Sequence, residues 1–130
     1  MLPLVAVYGS LRRGLWNHHI LAHSEYVAKT RLPGWQMFSL GRFPGVRRGQ
    51  GYITVEIYRV TPPVLKALDQ MEGYYPEHTK PRLVDEKKFY DRVQVTTGSG
   101  LAHLYILEDR RYWQSPLIES GDWVGHQQES

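Results

Sequence analysis

Glu72 stands at the end of the run Leu68-Asp69-Gln70-Met71-Glu72-Gly73-Tyr74. Upstream, Thr61-Pro62-Pro63 can open a helix, with Thr61 as a cap and proline tolerated in the first turn. Val64, Leu65, Leu68 and Met71 fall at helical spacing, and Gly73 is a residue that commonly ends a helix. The helix dipole favours cations, not anions, at a C-terminus. A glutamate there receives no help from the dipole, and partial burial would raise its pKa. A carboxyl titrating near neutral pH is what a general acid/base requires. An exposed helix-end glutamate would leave the same pattern. Asp69 lies three residues earlier on the same helix face, either as a like-charge neighbour of Glu72 or as a surface acid.

A second constellation is Val7-Tyr8-Gly9-Ser10-Leu11-Arg12. A buried strand that ends in glycine presents successive backbone N–H groups, which can cradle a carboxylate or phosphate. Glycine also lets a ligand approach the backbone closely. A plain strand-end turn would read the same way. Ser10 lacks the Gly-x-Ser-x-Gly setting of a nucleophile elbow. The chain has no cysteine, which excludes disulfides, thiolate metal sites and a cysteine nucleophile. His18 and His19 are adjacent, and His23, His78, His103 and His126 form no ligand-spaced set, so no metal or cofactor is expected.

These groups need a scaffold to position them. Leu4 to Tyr8 is a short apolar run typical of a buried strand, and Gly9 to Gly14 is a loop bracketed by glycines. Asn17 to Ala22 reads as a short helix. Tyr26 to Leu32 reads as a strand stopped by Pro33-Gly34, with Trp35 to Leu40 as its neighbour. Gly41 to Gly51 reads as a loop. Tyr52 to Val60 alternates, with Ile53, Val55 and Ile57 on one face, and predicts a half-buried strand. Pro76 to Lys88 reads as a polar connection. Phe89 to Thr97 and Leu101 to Leu107, joined by Gly98-Ser99-Gly100, read as a hairpin. The tail from Glu108 to Ser130 reads as irregular, with Trp113 and Trp123 clamping it to the domain. Many strands with tight links and one firm helix favour an antiparallel or mixed sheet, closed into a barrel, and exclude a doubly wound fold.

The length of 130 residues suggests one domain, 1–130, large enough to bury a core without staples. No apolar stretch approaches the length needed to span a bilayer. Met1 to Tyr8 lacks a basic leader and reads as a strand, not a signal peptide, so a cytoplasmic location is expected. The formal charge is only +3 and the arginines are scattered, which argues against a nucleic-acid partner. The oligomeric state is not legible.

The ordered motifs resemble the γ-glutamylcyclotransferase superfamily along nearly the whole chain. They are Tyr8-Gly9-Ser10-Leu11-Arg12 with Gly14 and Asn17, Gly34-Trp35-Gln36-Met37-Phe38, Phe43-Pro44-Gly45, and Gly51 to Val60 with Glu56. The order continues with Leu68 to Tyr74, Tyr90-Asp91-Arg92-Val93-Gln94-Val95, Ala102 to Ile106, and Ser120-Gly121-Asp122-Trp123. The resemblance implies an α+β fold, a compact, mixed and largely antiparallel β-barrel with flanking helices. It implies cleavage of a γ-glutamyl amide by attack of the substrate's own α-amino group, yielding 5-oxoproline and a free amine or amino acid. Glu72 would be the proton shuttle. Tyr8, Gly9, Ser10 and Leu11 would hold the glutamyl α-carboxylate, and Arg12, Asn17, Tyr74 and Tyr105 would complete the binding of a small-molecule substrate. Such a reaction needs neither an enzyme nucleophile nor a metal. The alternative is a module of the same fold that binds a carboxylate metabolite without turnover, and the 76–88 segment could serve as a lid or be plain solvated loop.

Overall fold

Leu4–Val7 forms β1, four apolar residues that are all buried. A strand covered on both faces needs apolar residues at every position instead of alternate ones. β1 lies inside the sheet, antiparallel to β3 (Pro44–Arg59) and parallel to β5 (Gly100–Leu107). These elements come from a computed structural model that describes residues 2–15, 17–72, 74, 90–107 and 114–128. The sheet also contains β2 (Glu25–Ser39), β4 (Tyr90–Thr97) and the short β6 (Leu117–Ile118), in the order β4-β5-β1-β3-β2-β6. A 3₁₀ turn spans His18–Leu21, and two α-helices, α1 (Pro62–Met71) and α2 (Trp123–Gln128), complete the described elements.

The architecture is mixed α+β, but among the described residues the sheet has six strands and does not close, so the expected barrel is not borne out. Closure requires the end strands to pair along matched edges. Here β4 and β6 sit at opposite ends, and β6 offers only two residues, both paired to β2. Alternate residues of β1 point to opposite faces, and each face carries its own core. Leu4 and Ala6 join Ile53, Val55, Ile57 and Trp123 on one side. Val5 and Val7 join Leu11, Leu68, Tyr90 and Tyr105 on the other. The functional groups gather on this second side.

Three strand readings change. Pro33-Gly34 does not stop a strand: β2 runs through it, with the register slipping between Pro33 and Trp35. Gly34 takes a φ of 90°, and across this step β2 advances two residues while β3 advances four, from Tyr52 to Arg48, so the extra residues of the irregularity lie on β3. Among the described residues β6 covers the outer edge of β2 only at Met37 and Phe38, so Pro33 lies beside an uncovered edge, the setting in which a strand tolerates proline. Gly41 to Gly51 is not a loop beyond the turn at Leu40–Phe43, where the Leu40 N–H donates to the Phe43 carbonyl at 2.9 Å. From Pro44 the chain is strand, held to β2 partly by Arg47 over the Phe38 ring and Arg48 over the Trp35 ring, at 4.1 and 4.8 Å. Nor is the segment from Ile53 to Tyr58 half-buried: every residue is buried, Thr54 and Glu56 included.

α1 forms as its spacing predicts, burying Leu68. Thr61 occupies the N-cap with an extended backbone, but makes no side-chain cap bond; its carbonyl accepts the Leu65 N–H at 3.0 Å. Glu72 is the C-cap residue, while Gly73 and the 76–88 segment lie outside the described residues. The β4–β5 hairpin is present, its turn braced by the Thr97 hydroxyl donating to the Gly100 carbonyl at 2.7 Å. The tail is more ordered than expected, contributing β6 and α2, and Trp123 is buried as a clamp would be. Trp113 lies outside the described residues. No helix among the described residues is long and apolar enough to cross a membrane.

Candidate active site

The chain leaves β1 at Tyr8 and turns at Gly9, where the Arg12 N–H donates to the Gly9 carbonyl at 3.0 Å. Asn17 braces this loop twice: its N–H donates to the Ser10 carbonyl at 3.1 Å and its Nδ2 to Ser10 Oγ at 2.8 Å. His18 Nδ1 donates to the Leu11 carbonyl at 2.9 Å. The loop's carbonyls are therefore engaged. Among the described residues, the N–H groups of Ser10 and Leu11 donate to no acceptor. A Cβ on Gly9 would meet Pro44 Cγ and Cδ at 3.1 Å, so glycine is what lets the loop press against the start of β3.

The loop forms one wall of a cavity of about 490 Å³. Tyr8, Gly9, Ser10, Leu11 and Asn17 line it from the loop side, Met71 and Glu72 from the end of α1, and Tyr90 and Tyr105 from β4 and β5. Arg42, Phe43 and Pro44 line it from the β2–β3 turn. Thus Glu72, Tyr8, Gly9, Ser10, Leu11, Asn17 and Tyr105 are brought together from segments far apart in sequence. Glu72 is half-buried, and no described residue donates a hydrogen bond to its carboxyl. Burial pushes its pKa up to about 7. Near neutral pH it is thus populated both as carboxylate and as carboxylic acid, the state a proton shuttle needs.

The tyrosine walls are held by their own hydrogen bonds. The Tyr8 hydroxyl donates to the Tyr105 carbonyl, and the Tyr90 hydroxyl to the Pro44 carbonyl, both at 2.7 Å. The Tyr105 hydroxyl donates to Asp69 Oδ1 at 2.7 Å. Burial raises the pKa of Tyr8 and, together with the bond to Asp69, that of Tyr105, so both stay neutral. Asp69 is neither a surface acid nor an unscreened neighbour of Glu72. It is buried, and its Oδ2 takes Arg92 Nη1 at 2.7 Å.

Two expected binding residues sit elsewhere. Tyr74 does not line the cavity. It packs behind it, its N–H donating to the Asp69 carbonyl at 2.8 Å and its ring 4.8 Å beneath the Arg92 guanidinium. Arg12 turns away from the cavity and is only 2% exposed. Its Nε donates to Glu56 Oε2 at 2.9 Å and its Nη1 to Asp122 Oδ1 at 2.6 Å. Glu56 Oε1 accepts both the Arg13 N–H and the Tyr58 hydroxyl at 2.8 Å. Burial alone would raise the Glu56 pKa, but the hydrogen bonds from Arg13, Arg12 and Tyr58 outweigh it and hold the carboxyl below its usual value. Arg12 therefore ties the loop to the central strand and to the C-terminal segment.

Sequence reasoning missed the roles of Tyr90, Arg92, Arg42 and Asp122. For the first two a signal existed. Residues two apart on a strand share a face, and the register sets Arg92 opposite Tyr105. The Arg12–Asp122 contact had none, because it depends on the order of strands. Among the described residues, no group of three or more His, Asp or Glu side chains could hold a metal ion. Among the described residues, the cavity is lined by Ser10 and Leu11, whose N–H groups donate to no acceptor, by one half-buried carboxyl, that of Glu72, and by mainly apolar walls between them.

Residues 5–125 match the family described as gamma-glutamyl cyclotransferase, AIG2-like. The gamma-glutamylcyclotransferase family protein YtfP of Escherichia coli strain K12 is 31% identical over 120 residues, covering 92% of this chain and 95% of that protein. The solution structure of E. coli ytfP superposes with a TM-score of 0.70 at 28% identity, covering 95% of this chain and 98% of the other. A crystal structure of an uncharacterized protein from Pyrococcus horikoshii shares the fold, with a TM-score of 0.78 at 24% identity and coverage of 98% and 94%.

Proposed function

The chain belongs to the AIG2-like gamma-glutamyl cyclotransferase family, and from that premise we propose that it cleaves a γ-glutamyl amide by intramolecular cyclisation. The α-carboxylate of the glutamyl group takes the N–H groups of Ser10 and Leu11. The Glu72 carboxylate removes a proton from the substrate's α-ammonium group. The freed amine attacks the γ-carbonyl carbon, closing a five-membered ring. The tetrahedral intermediate collapses as the Glu72 carboxylic acid gives this proton to the departing nitrogen, and the regenerated carboxylate relays the second proton from the ring nitrogen to the released amine, which leaves as an ammonium. The C–N bond to the leaving group breaks, and 5-oxoproline and a free amine or amino acid are released. Atoms and protons balance without water, a metal or an enzyme nucleophile.

The observation that carries this reading is the pairing of Glu72, lifted to about pH 7 by burial, with an N–H cradle across one cavity. Holding amine and carbonyl in reacting geometry supplies up to roughly 7–11 kcal/mol of barrier lowering. The shuttle adds a rate factor on the order of 10²–10⁴. A module that only binds a carboxylate gains nothing from a second anion beside its ligand, which favours the enzyme over the binding module. The test is release of 5-oxoproline from a panel of γ-glutamyl amides, with Glu72→Gln alongside. Release that persists unchanged in that variant would remove Glu72 from the mechanism, and no release from any amide would leave the binding module.

A further inference from the structure

Arg42, Arg47 and Arg48 stand close together in sequence but not in use. Arg47 and Arg48 lie over the rings of Phe38 and Trp35. Arg42 has no ion pair, hydrogen bond or ring contact among the described residues. It is exposed, yet it lines the cavity. Of the described lining residues, only Arg42 and Glu72 carry a charged side chain.

The turn that bears Arg42 is anchored. The Leu40 N–H donates to the Phe43 carbonyl at 2.9 Å, and the Ser39 N–H to the Pro116 carbonyl at 2.8 Å. Pro44 packs against Gly9, which fixes the far side of the turn. The guanidinium is therefore presented from a defined position at the rim. Depth then assigns its ligand. The glutamyl half must bring its reacting carbon beside half-buried Glu72, among buried Tyr8, Leu11, Tyr90 and Tyr105. The rim, with Arg42 and Phe43, is left for whatever hangs from the amide nitrogen.

We infer that Arg42 is a specificity-determining residue that selects a leaving group bearing a carboxylate close to the departing nitrogen. This rests on the cyclisation reading above. A guanidinium presents a planar fork that matches a carboxylate with paired hydrogen bonds. A leaving group without an anion gains nothing from it. Because the contact lies at the rim, salt weakens it.

The test uses two ligands that differ only in that carboxylate, γ-glutamyl-alanine and γ-glutamyl-ethylamine. Their affinities are measured by calorimetry at low salt, in a Glu72→Gln background that keeps both intact. The expected result is a preference of about tenfold for γ-glutamyl-alanine, the scale of one charge-assisted hydrogen bond. Arg42→Gln in that background brings the ratio close to one, and Arg42→Lys retains part of it. Added salt lowers the ratio in the Arg42 protein only. An unchanged ratio in Arg42→Gln overturns the inference. Equal loss for both ligands also overturns it, because Arg42 would then serve the shared glutamyl group or the fold. No binding of either ligand overturns it as well. Selective binding together with absent 5-oxoproline release by the Glu72 protein would remove the reaction and leave the subsite standing.

Discussion

The Tyr105 hydroxyl donates to Asp69 Oδ1 at 2.7 Å, and this contact helps separate the two acids of α1. Arg92 takes the other oxygen at 2.7 Å, so Asp69 is held as a partnered carboxylate on the sheet side of the helix. Two carboxylates that share a site split their titrations and hold a proton between them. Here burial is the cause of the raised Glu72 pKa, and Asp69 is not among its causes. Glu72 should titrate as a single group.

Asp69→Asn tests that separation. The substitution leaves Arg92 partly buried without its counter-charge, and breaking a buried pair costs about 3 kcal/mol. Urea denaturation should show the loss. The rising limb of the pH–activity profile should nevertheless stay near pH 7. A limb displaced toward the ordinary carboxylate range would mean that the two acids are coupled after all.

The activity itself should depend on Glu72 with a defined pH signature. Below pH 7 the group is protonated and cannot accept the ammonium proton, so kcat/KM should rise tenfold per pH unit and level off above about 7. It should fall again as the substrate's own amine loses its proton in solution. Glu72→Gln should lower kcat by roughly 10²–10⁴ and abolish the rising limb. Steady-state release of 5-oxoproline across pH 5–9 measures both.

The same residue should cost stability. Its folded pKa of about 7 lies above its ordinary value of 4.5, so between these the native state binds more protons than the unfolded chain. Stability contributed by this group therefore falls as pH rises from 4.5 to 7 and is constant outside that window. With each tenfold in acidity worth about 1.4 kcal/mol, the penalty above pH 7 reaches at most about 3 kcal/mol. Glu72→Gln should be more stable than the wild type at pH 8 and nearly equal at pH 4.5. Denaturation midpoints at the two pH values decide it, and equal midpoints at both would place the carboxyl in solvent.

How far the sequence reaches into this site follows from where each interaction closes. β1 and α1 were legible because Leu4–Val7 and the Val64–Met71 spacing encode burial locally. Glu72 and the Gly9 loop were legible as isolated features for the same reason. β2 was misread at Pro33-Gly34 because the strand runs on through both residues, with the register shift taken up on β3, which only the neighbouring strand reveals. The start of β3 was misread because its arginines are held by rings on β2. Arg12 was assigned to substrate because its partner, Asp122, lies 110 residues away and meets it only through the sheet order.

That long-range contact makes Arg12 a positioning residue for the loop, and Arg12→Met is the variant that exposes the role. Methionine keeps much of the packing but removes the bonds to Glu56 and Asp122. Leaving Glu56 buried with only the Arg13 N–H and Tyr58 hydroxyl should cost about 3 kcal/mol. Burial would raise the pKa of Glu56 and of Asp122, but their hydrogen bonds outweigh it and both lie below their ordinary values of 4.5 and 3.8. Between the folded and ordinary values the unfolded chain binds more protons. The stabilisation is therefore complete above the ordinary range and is lost as pH falls through the folded values. Arg12→Met should lower stability at pH 7 and flatten its decline in acid, read from denaturant midpoints between pH 2 and 7. Because the Arg12 N–H also closes the Gly9 turn, loosening the side chain should raise KM more than it lowers kcat. A fall in kcat at constant KM would instead place Arg12 at the reacting atoms, against its burial away from the cavity.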